Sequence, residues 1–194
     1  DPCRRRTRSD PLRLRGRELR YLFCDTSILK TIIVKGIPMG LQMIVISASM
    51  LALIENQDQL KLLQEQPELI PAAVEEFLRW ASPVYHFRRT ATRDLELGGK
   101  EIKAGDKVVM WFASGNRDGA VFTDPYRFDV TRTNIDHLTF GKGSPHVCLG
   151  NALARMEIRL MFTELIPRLA SIELNGEVKR VRSNFINGIK KFPV

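Results

Sequence analysis

Cys148 is the residue best equipped for chemistry in this sequence, and it lies in the run Phe140-Gly141-Lys142-Gly143-Ser144-Pro145-His146-Val147-Cys148-Leu149-Gly150. Gly141, Gly143 and Gly150 give the loop backbone freedom and let main-chain amides approach whatever sits on the sulfur, where such donors would stabilise a thiolate. A helix expected to begin near Asn151 points its positive end back at Cys148, which favours a thiolate ready for metal ligation. Iron suits a single thiolate. Zinc would need further Cys or His donors at short spacing, and His146 is the one nearby, so a closed four-ligand site cannot be assembled locally. A structural cysteine beside a glycine loop would explain a lone Cys-x-Gly, but not the whole spacing.

That spacing resembles the haem-binding loop of the cytochrome P450 superfamily, Phe-Gly-x-Gly-x-His-x-Cys-x-Gly, in which the cysteine is the proximal thiolate. Phe140, Gly141, Gly143, His146, Cys148 and Gly150 match, with one additional residue between Gly143 and His146, a longer loop of the kind found in some bacterial lipid-oxidising members. The stretch from Asn151 to Glu157 is similar to the family's helix after the cysteine, where small residues such as Ala154 let the helix lie against the porphyrin. The resemblance covers residues 47–194 and implies the C-terminal part of the P450 fold, mainly α with small β-sheets (α+β). It implies haem b (iron protoporphyrin IX) as cofactor, electrons from NAD(P)H delivered through a ferredoxin-type partner and its reductase, and hydroxylation of a small apolar substrate by dioxygen. The wording from Arg182 to Lys190 is similar to bacterial members that oxidise sterol side chains and methyl-branched lipids.

The elements that must position Cys148 follow from periodicity and punctuation. Apolar residues at helical spacing from Ser47 to Leu63, broken by Glu55-Asn56-Gln57-Asp58, predict two helices with a short joint. Pro67 to Pro71 opens a further helix through Trp80 that must stop before Pro83. On it Glu76 and Arg79 stand three apart and share a face; alone, such a pair is usually a surface ion pair worth about 0.3 kcal/mol. The resemblance gives them a different role, because the family carries a Glu-x-x-Arg pair upstream of its cysteine and a third partner after a proline in the intervening meander. Pro125-Tyr126-Arg127-Phe128 fits that place, so Glu76, Arg79 and Arg127 are expected to form a structural network in which two guanidiniums flank one carboxylate. Gly98-Gly99 predicts a hairpin between 93–96 and 101–103, residues 107–113 a strand, and Asn187-Gly188 a second hairpin turn.

The resemblance also nominates contacts. His146 and Arg89 are the expected partners of the haem propionates. The stretch from Ser82 to Phe87, with Val84, Tyr85 and Phe87, together with the turn around Ile186, is expected to face substrate, and its apolar members suit a greasy ligand. The family's acid-alcohol pair on the long helix above the haem has no counterpart, since Gly36 to Ile44 offers neither carboxylate nor Thr, so no catalytic proton donor is identified.

The chain has 194 residues, is 44% hydrophobic and carries a formal charge of +8, enough for one core. Its 1–46 segment holds ten basic residues against four acidic ones, is unlike the family, and reads as a disordered or frame-shifted arm preceding a haem-binding region at 47–194. Nucleic-acid binding is not expected, because the arm lacks interleaved aromatics and any reading motif. The uncharged stretch from Gly36 to Ile54 is diluted by Pro38, Gln42, Ser47 and Ser49, which favours a buried helix over a membrane span. Three cysteines and no apparent leader predict a reducing, cytoplasmic setting. Two other functions fit the sequence: a catalytically incompetent fragment with weak or no haem binding, and a basic membrane-associated interaction module.

Overall fold

The computed structural model describes residues 40–194 other than Ser144, together with the two-residue strand β1 (Leu12–Arg13). The rest of the basic arm up to Met39, with Cys3, Cys24 and residues 36–39 of the apolar stretch, lies outside the described residues, as does any shift of reading frame among them.

Helix α1 (Gly40–Glu55) is followed after Asn56 by α2 (Gln57–Glu65), which gives the two helices and the joint that the polar break predicts. The boundary drawn between 46 and 47 falls inside α1, which continues without interruption across it. Asn56 both receives the end of α1 and starts α2: its amide donates to the Ala52 carbonyl and its own carbonyl accepts from Leu60. No helix among the described residues is long and apolar enough to cross a membrane.

A 3-10 turn (Pro67–Leu69) feeds α3 (Ile70–Ala81), which buries Ile70, Ala73, Val74, Phe77, Leu78 and Ala81. Those positions recur at three and four residues and form one apolar face. Phe77 is the centre of that face, stacked on Phe128 at 6.1 Å between ring centroids and tilted against Phe162 at 4.5 Å. The helix ends at Ser82, whose φ of 38° is left-handed and whose hydroxyl donates to the Arg79 carbonyl at 2.9 Å. Pro83 then bars continuation.

Among the described residues, four two-stranded sheets complete the architecture. Strands β2 (His86–Thr90) and β5 (Lys107–Trp111) pair antiparallel from His86 opposite Trp111 to Thr90 opposite Lys107. Between them β3 (Leu95–Leu97) and β4 (Lys100–Ile102) make the hairpin predicted at Gly98-Gly99, both of which have positive φ. After the short helix α4 (Phe112–Gly115) and a long irregular stretch comes α5 (Asn151–Leu165). Strand β6 (Leu169–Ser171) runs parallel to β1, and β7 (Lys179–Arg180) pairs with β8 (Ile189–Lys191). The core lies where α1, α3 and α5 pack on one another, with Val45, Leu53, Phe77, Val130, Ile158, Phe162 and Ile166 among its members.

One turn differs from expectation. Asn187-Gly188 is not a two-residue hairpin turn: the connection between β7 and β8 spans residues 181–188, closed by the Val181 amide donating to the Gly188 carbonyl at 2.8 Å. The Asn187 side chain is used elsewhere, receiving the Tyr85 hydroxyl at 2.9 Å and donating to the Ala81 carbonyl at 2.8 Å, and these bonds outweigh its local turn preference.

Candidate functional site

Helix α3 supplies two adjacent carboxylates that face different parts of the chain. Glu76 and Arg79 are both fully buried, and Arg79 donates from Nε and Nη2 to the two carboxylate oxygens at 2.7 Å each. Nη1 of Arg79 donates to the carbonyls of Asn116 and Pro125, at 2.8 Å each, and Nη2 to that of Arg127 at 3.2 Å. The Asp129 amide donates to Glu76 Oε1 at 3.0 Å. This bidentate fork and its three carbonyls satisfy a buried charge pair nearly completely and pin residues 116–129 against α3. Arg127 enters the network through its carbonyl, while its own side chain is exposed. The second guanidinium beside Glu76 is that of Arg132, with Nε 3.4 Å from Oε2. A guanidinium placed at 127 points outward because the neighbouring Phe128 turns into the core instead.

The stalk of the cysteine loop is tied to the same helix. The Leu138 amide donates to Asn116 Oδ1 at 2.7 Å, and Thr139 Oγ1 donates to the Leu78 carbonyl at 2.8 Å. From there the chain leaves at Phe140 and returns at Cys148, whose amide donates to the Phe140 carbonyl at 2.9 Å. Gly141 and Gly143 adopt φ of 72° and 80°, conformations that side chains resist, so the sharp exit of the loop depends on them. Gly150 has an ordinary φ of -83°, and a Cβ there would stand 4.0 Å from Cys148 Sγ, in van der Waals contact with the sulfur. Cys148 is a free, exposed thiol flanked by the exposed apolar side chains of Val147 and Leu149, the latter 99% exposed. His146 is exposed on the same loop, while Ala154 is buried on the first turns of α5.

Glu75, the second carboxylate, went unnoticed in the sequence. It receives Arg155 Nε at 2.7 Å on Oε1, and Arg155 Nη2 at 3.0 Å and His137 Nε2 at 3.1 Å on Oε2. Burial alone would raise its pKa, but the hydrogen bonds from His137 and Arg155 and the charge of Arg155 prevail and lower it from 4.5 to about 2. The Thr139 amide donates to His137 Nδ1, so the hydrogen-bond network assigns the ring proton to Nε2, facing Glu75. The available signal was the pair Glu75-Glu76 itself: consecutive helix positions point about 100° apart, so two adjacent carboxylates taken out of water require two separate sets of cations.

The residues expected to meet substrate gather at the C-terminal end of α3. Val84 bridges to Ile186, and Tyr85 exchanges backbone bonds with Phe185 and Phe112 at 2.9 and 2.8 Å. Phe87 meets Phe112 and Phe185 edge-on at 5.6 and 5.7 Å and is partly exposed, and His86 lies between Trp111 and Phe185. Val84, Tyr85, Phe87 and Ile186 thus lie close together, with Val84 buried, Tyr85 and Ile186 half-buried and Phe87 exposed. Arg89 is exposed further along β2, donating to the Arg88 carbonyl with its guanidinium 5.9 Å from the Phe87 ring.

Residues 50–189 match the family model for Cytochrome P450. The chain belongs to the cytochrome P450 family. Among relatives, it is 50% identical over 149 residues to linalool 8-monooxygenase of Pseudomonas putida, a match covering 77% of this chain and 36% of that protein. It is 51% identical over 126 residues to the methyl-branched lipid omega-hydroxylase of Mycobacterium tuberculosis, covering 65% of this chain and 29% of that protein. A solved structure of a Mycobacterium marinum cytochrome P450 in complex with pseudoionone superposes with a TM-score of 0.73 at 44% identity, covering 77% of this chain and 36% of that one. The chain therefore has the α+β architecture of the C-terminal part of the P450 fold and spans about a third of the length of these relatives.

The P450 family implies haem, and the residues present fit it. An exposed free thiol flanked by two exposed apolar side chains, with a glycine where any Cβ would approach the sulfur, is the surface a large flat apolar group would cover. No cluster of three or more His, Cys, Asp or Glu side chains that could hold a metal occurs among the described residues.

Proposed function

We propose that this chain is the haem-binding portion of a monooxygenase that hydroxylates a branched apolar substrate, a sterol side chain or a methyl-branched lipid. The observation that carries the reading is the exposed Cys148 thiol at the end of a glycine-turned loop, next to the N-terminus of α5 and flanked by apolar surface. Cys148 would hold the haem iron through its thiolate. Haem held by a thiolate supplies the activation of dioxygen, the cofactor's own chemistry. Phe140, Gly141, Gly143, Gly150 and Ala154 would shape the thiolate side, while His146 and Arg89 would meet the propionates. Glu76, Arg79 and the Arg127 carbonyl would hold this half of the core rigid. Val84, Tyr85, Phe87 and Ile186 would orient the substrate and exclude water around it.

The names of the relatives support the substrate class, since linalool and a methyl-branched lipid are both branched and apolar. Electrons would come from NAD(P)H through a reductase and a ferredoxin-type protein, in the reducing cytoplasm where Cys148 stays a free thiol. The test is to supply haem to the purified chain, measure haem per chain, and assay a methyl-branched fatty acid, a sterol and an acyclic terpenoid for hydroxylated products with a ferredoxin and its reductase. Stoichiometric haem with a hydroxylated branched product is expected. Absence of haem binding would overturn the reading.

A second reading, haem binding without turnover, is favoured by one observation. On α1 no carboxylate precedes Glu55, and the Ser47 and Ser49 hydroxyls donate back to the carbonyls of Met43, Ile44 and Val45. Stoichiometric haem with no product from any of the three substrates would select it.

A further inference from the structure

We propose that Glu75, Arg155 and Asn151 are positioning residues that fix both ends of the Cys148 loop from a single carboxylate on α3. The proposal rests on the reading of Cys148 as the haem ligand and names what holds it in place.

Glu75 reaches the cysteine end through Arg155. The guanidinium has no idle edge: Nε and Nη2 fork onto the Glu75 carboxylate, and Nη1 donates to Asn151 Oδ1 at 3.0 Å. Asn151 then donates from Nδ2 to the Cys148 carbonyl at 2.6 Å, and its amide donates to the same oxygen at 3.2 Å. Three side-chain links therefore join α3 to the peptide that carries the sulfur. The flat face of Arg155 adds another contact, lying 4.7 Å from the centroid of the Phe140 ring.

The other end is reached through His137. Its ring donates to Glu75, accepts from the Thr139 amide, and stands 5.8 Å from the Phe140 ring. Phe140 is thus contacted by a cation and by an imidazole that both answer to Glu75, and its carbonyl accepts the Cys148 amide. The loop leaves and returns at two residues bonded to each other, and each is reached from the same carboxylate. Glu76, one residue on, faces residues 125–132 and touches neither end, so the two carboxylates have separate duties. An exposed thiol on a nine-residue loop has many conformations to lose on binding a rigid group, and a clamp formed beforehand removes much of that entropy.

The experiment uses the full chain as Glu75→Gln, Asn151→Ala and, as a control, Glu164→Gln, which breaks the Arg168 pair at the far end of α5. Asn151→Ala removes the last link without stranding a buried charge, so it remains informative if Glu75→Gln folds poorly. Two readouts are taken: amide exchange of the 146–151 segment, and the ratio of thiolate to non-thiolate Soret bands in the haem-supplemented, reduced, carbon monoxide form. Loss of one charge-assisted bond predicts exchange about tenfold faster and a band ratio about tenfold lower in both variants, with the control unchanged. Unchanged exchange in both variants would overturn the proposal. If exchange rises but no variant, nor the parent, shows a thiolate band, the clamp stands and the haem assignment falls; a parent band that persists undiminished in both variants refutes positioning while leaving the haem assignment intact.

Discussion

Replacing Glu76 by Gln should be among the most damaging isosteric changes in this chain. The carboxylate is fully buried, receives two 2.7 Å bonds from Arg79 and one from the Asp129 amide, and has Arg132 Nε 3.4 Å away. The amide keeps the shape and one acceptor oxygen but turns an NH2 group toward guanidinium donors. It also leaves Arg79 buried as a cation with Arg132 close by and no anion between them. Removing one partner of such a pair costs about 3–5 kcal/mol, and for a chain of this size that lowers Tm by roughly 10 °C. The exposed pair of Lys61 and Glu65, 3.7 Å apart on α2, sets the opposite limit: Glu65→Gln should cost about 0.3–0.5 kcal/mol. Urea unfolding followed by circular dichroism measures both, and the Glu76→Met, Arg79→Met pair tests the coupling, which should make the double variant less destabilised than the sum of the singles. A loss below about 1 kcal/mol for Glu76→Gln, no larger than that of Glu65→Gln, would refute the reasoning.

Two further outcomes follow from the site. Because the Glu75 carboxyl is lowered from 4.5 to about 2 in the folded chain, its contribution is complete above pH 4.5 and is lost as pH falls from there toward 2; the carboxylate is 29% exposed, so the contribution is about 1–2 kcal/mol, and Glu75→Gln should flatten that limb of an acid-unfolding curve, whereas an unaltered limb would refute the assignment. Gly150→Leu should change stability by less than about 1 kcal/mol, because its φ is ordinary, yet reduce haem occupancy by on the order of tenfold by crowding Cys148 Sγ, measured as haem per chain; full occupancy would contradict the close-approach argument.

Local features were legible in the sequence to the extent that their physics is local. The joint at Asn56, the stop at Ser82 before Pro83, and the Gly98-Gly99 hairpin each depend on a few neighbouring residues. The spacing of Glu76 and Arg79 predicted their contact, but nothing in it required their complete burial, which comes from the carbonyls of residues 116–127 arriving from far along the chain. Strand β2 was missed because Arg88 and Arg89 interrupt any apolar alternation; it is a strand through its partner β5. The same limit explains why Arg132 rather than the Arg127 side chain stands beside Glu76, and why Asn187 binds Tyr85 and Ala81. Glu75 and His137 are 62 positions apart, and only the fold brings them together.

The central claim is that Cys148 ligates haem iron through its thiolate, and one spectrum tests it most directly. The purified, haem-supplemented full chain is reduced, exposed to carbon monoxide, and compared with Cys148→Ala. A red-shifted, thiolate-type Soret band present in the parent and lost in the variant is the predicted result. The absence of that band from the parent, or its persistence without the Cys148 sulfur, would contradict the account.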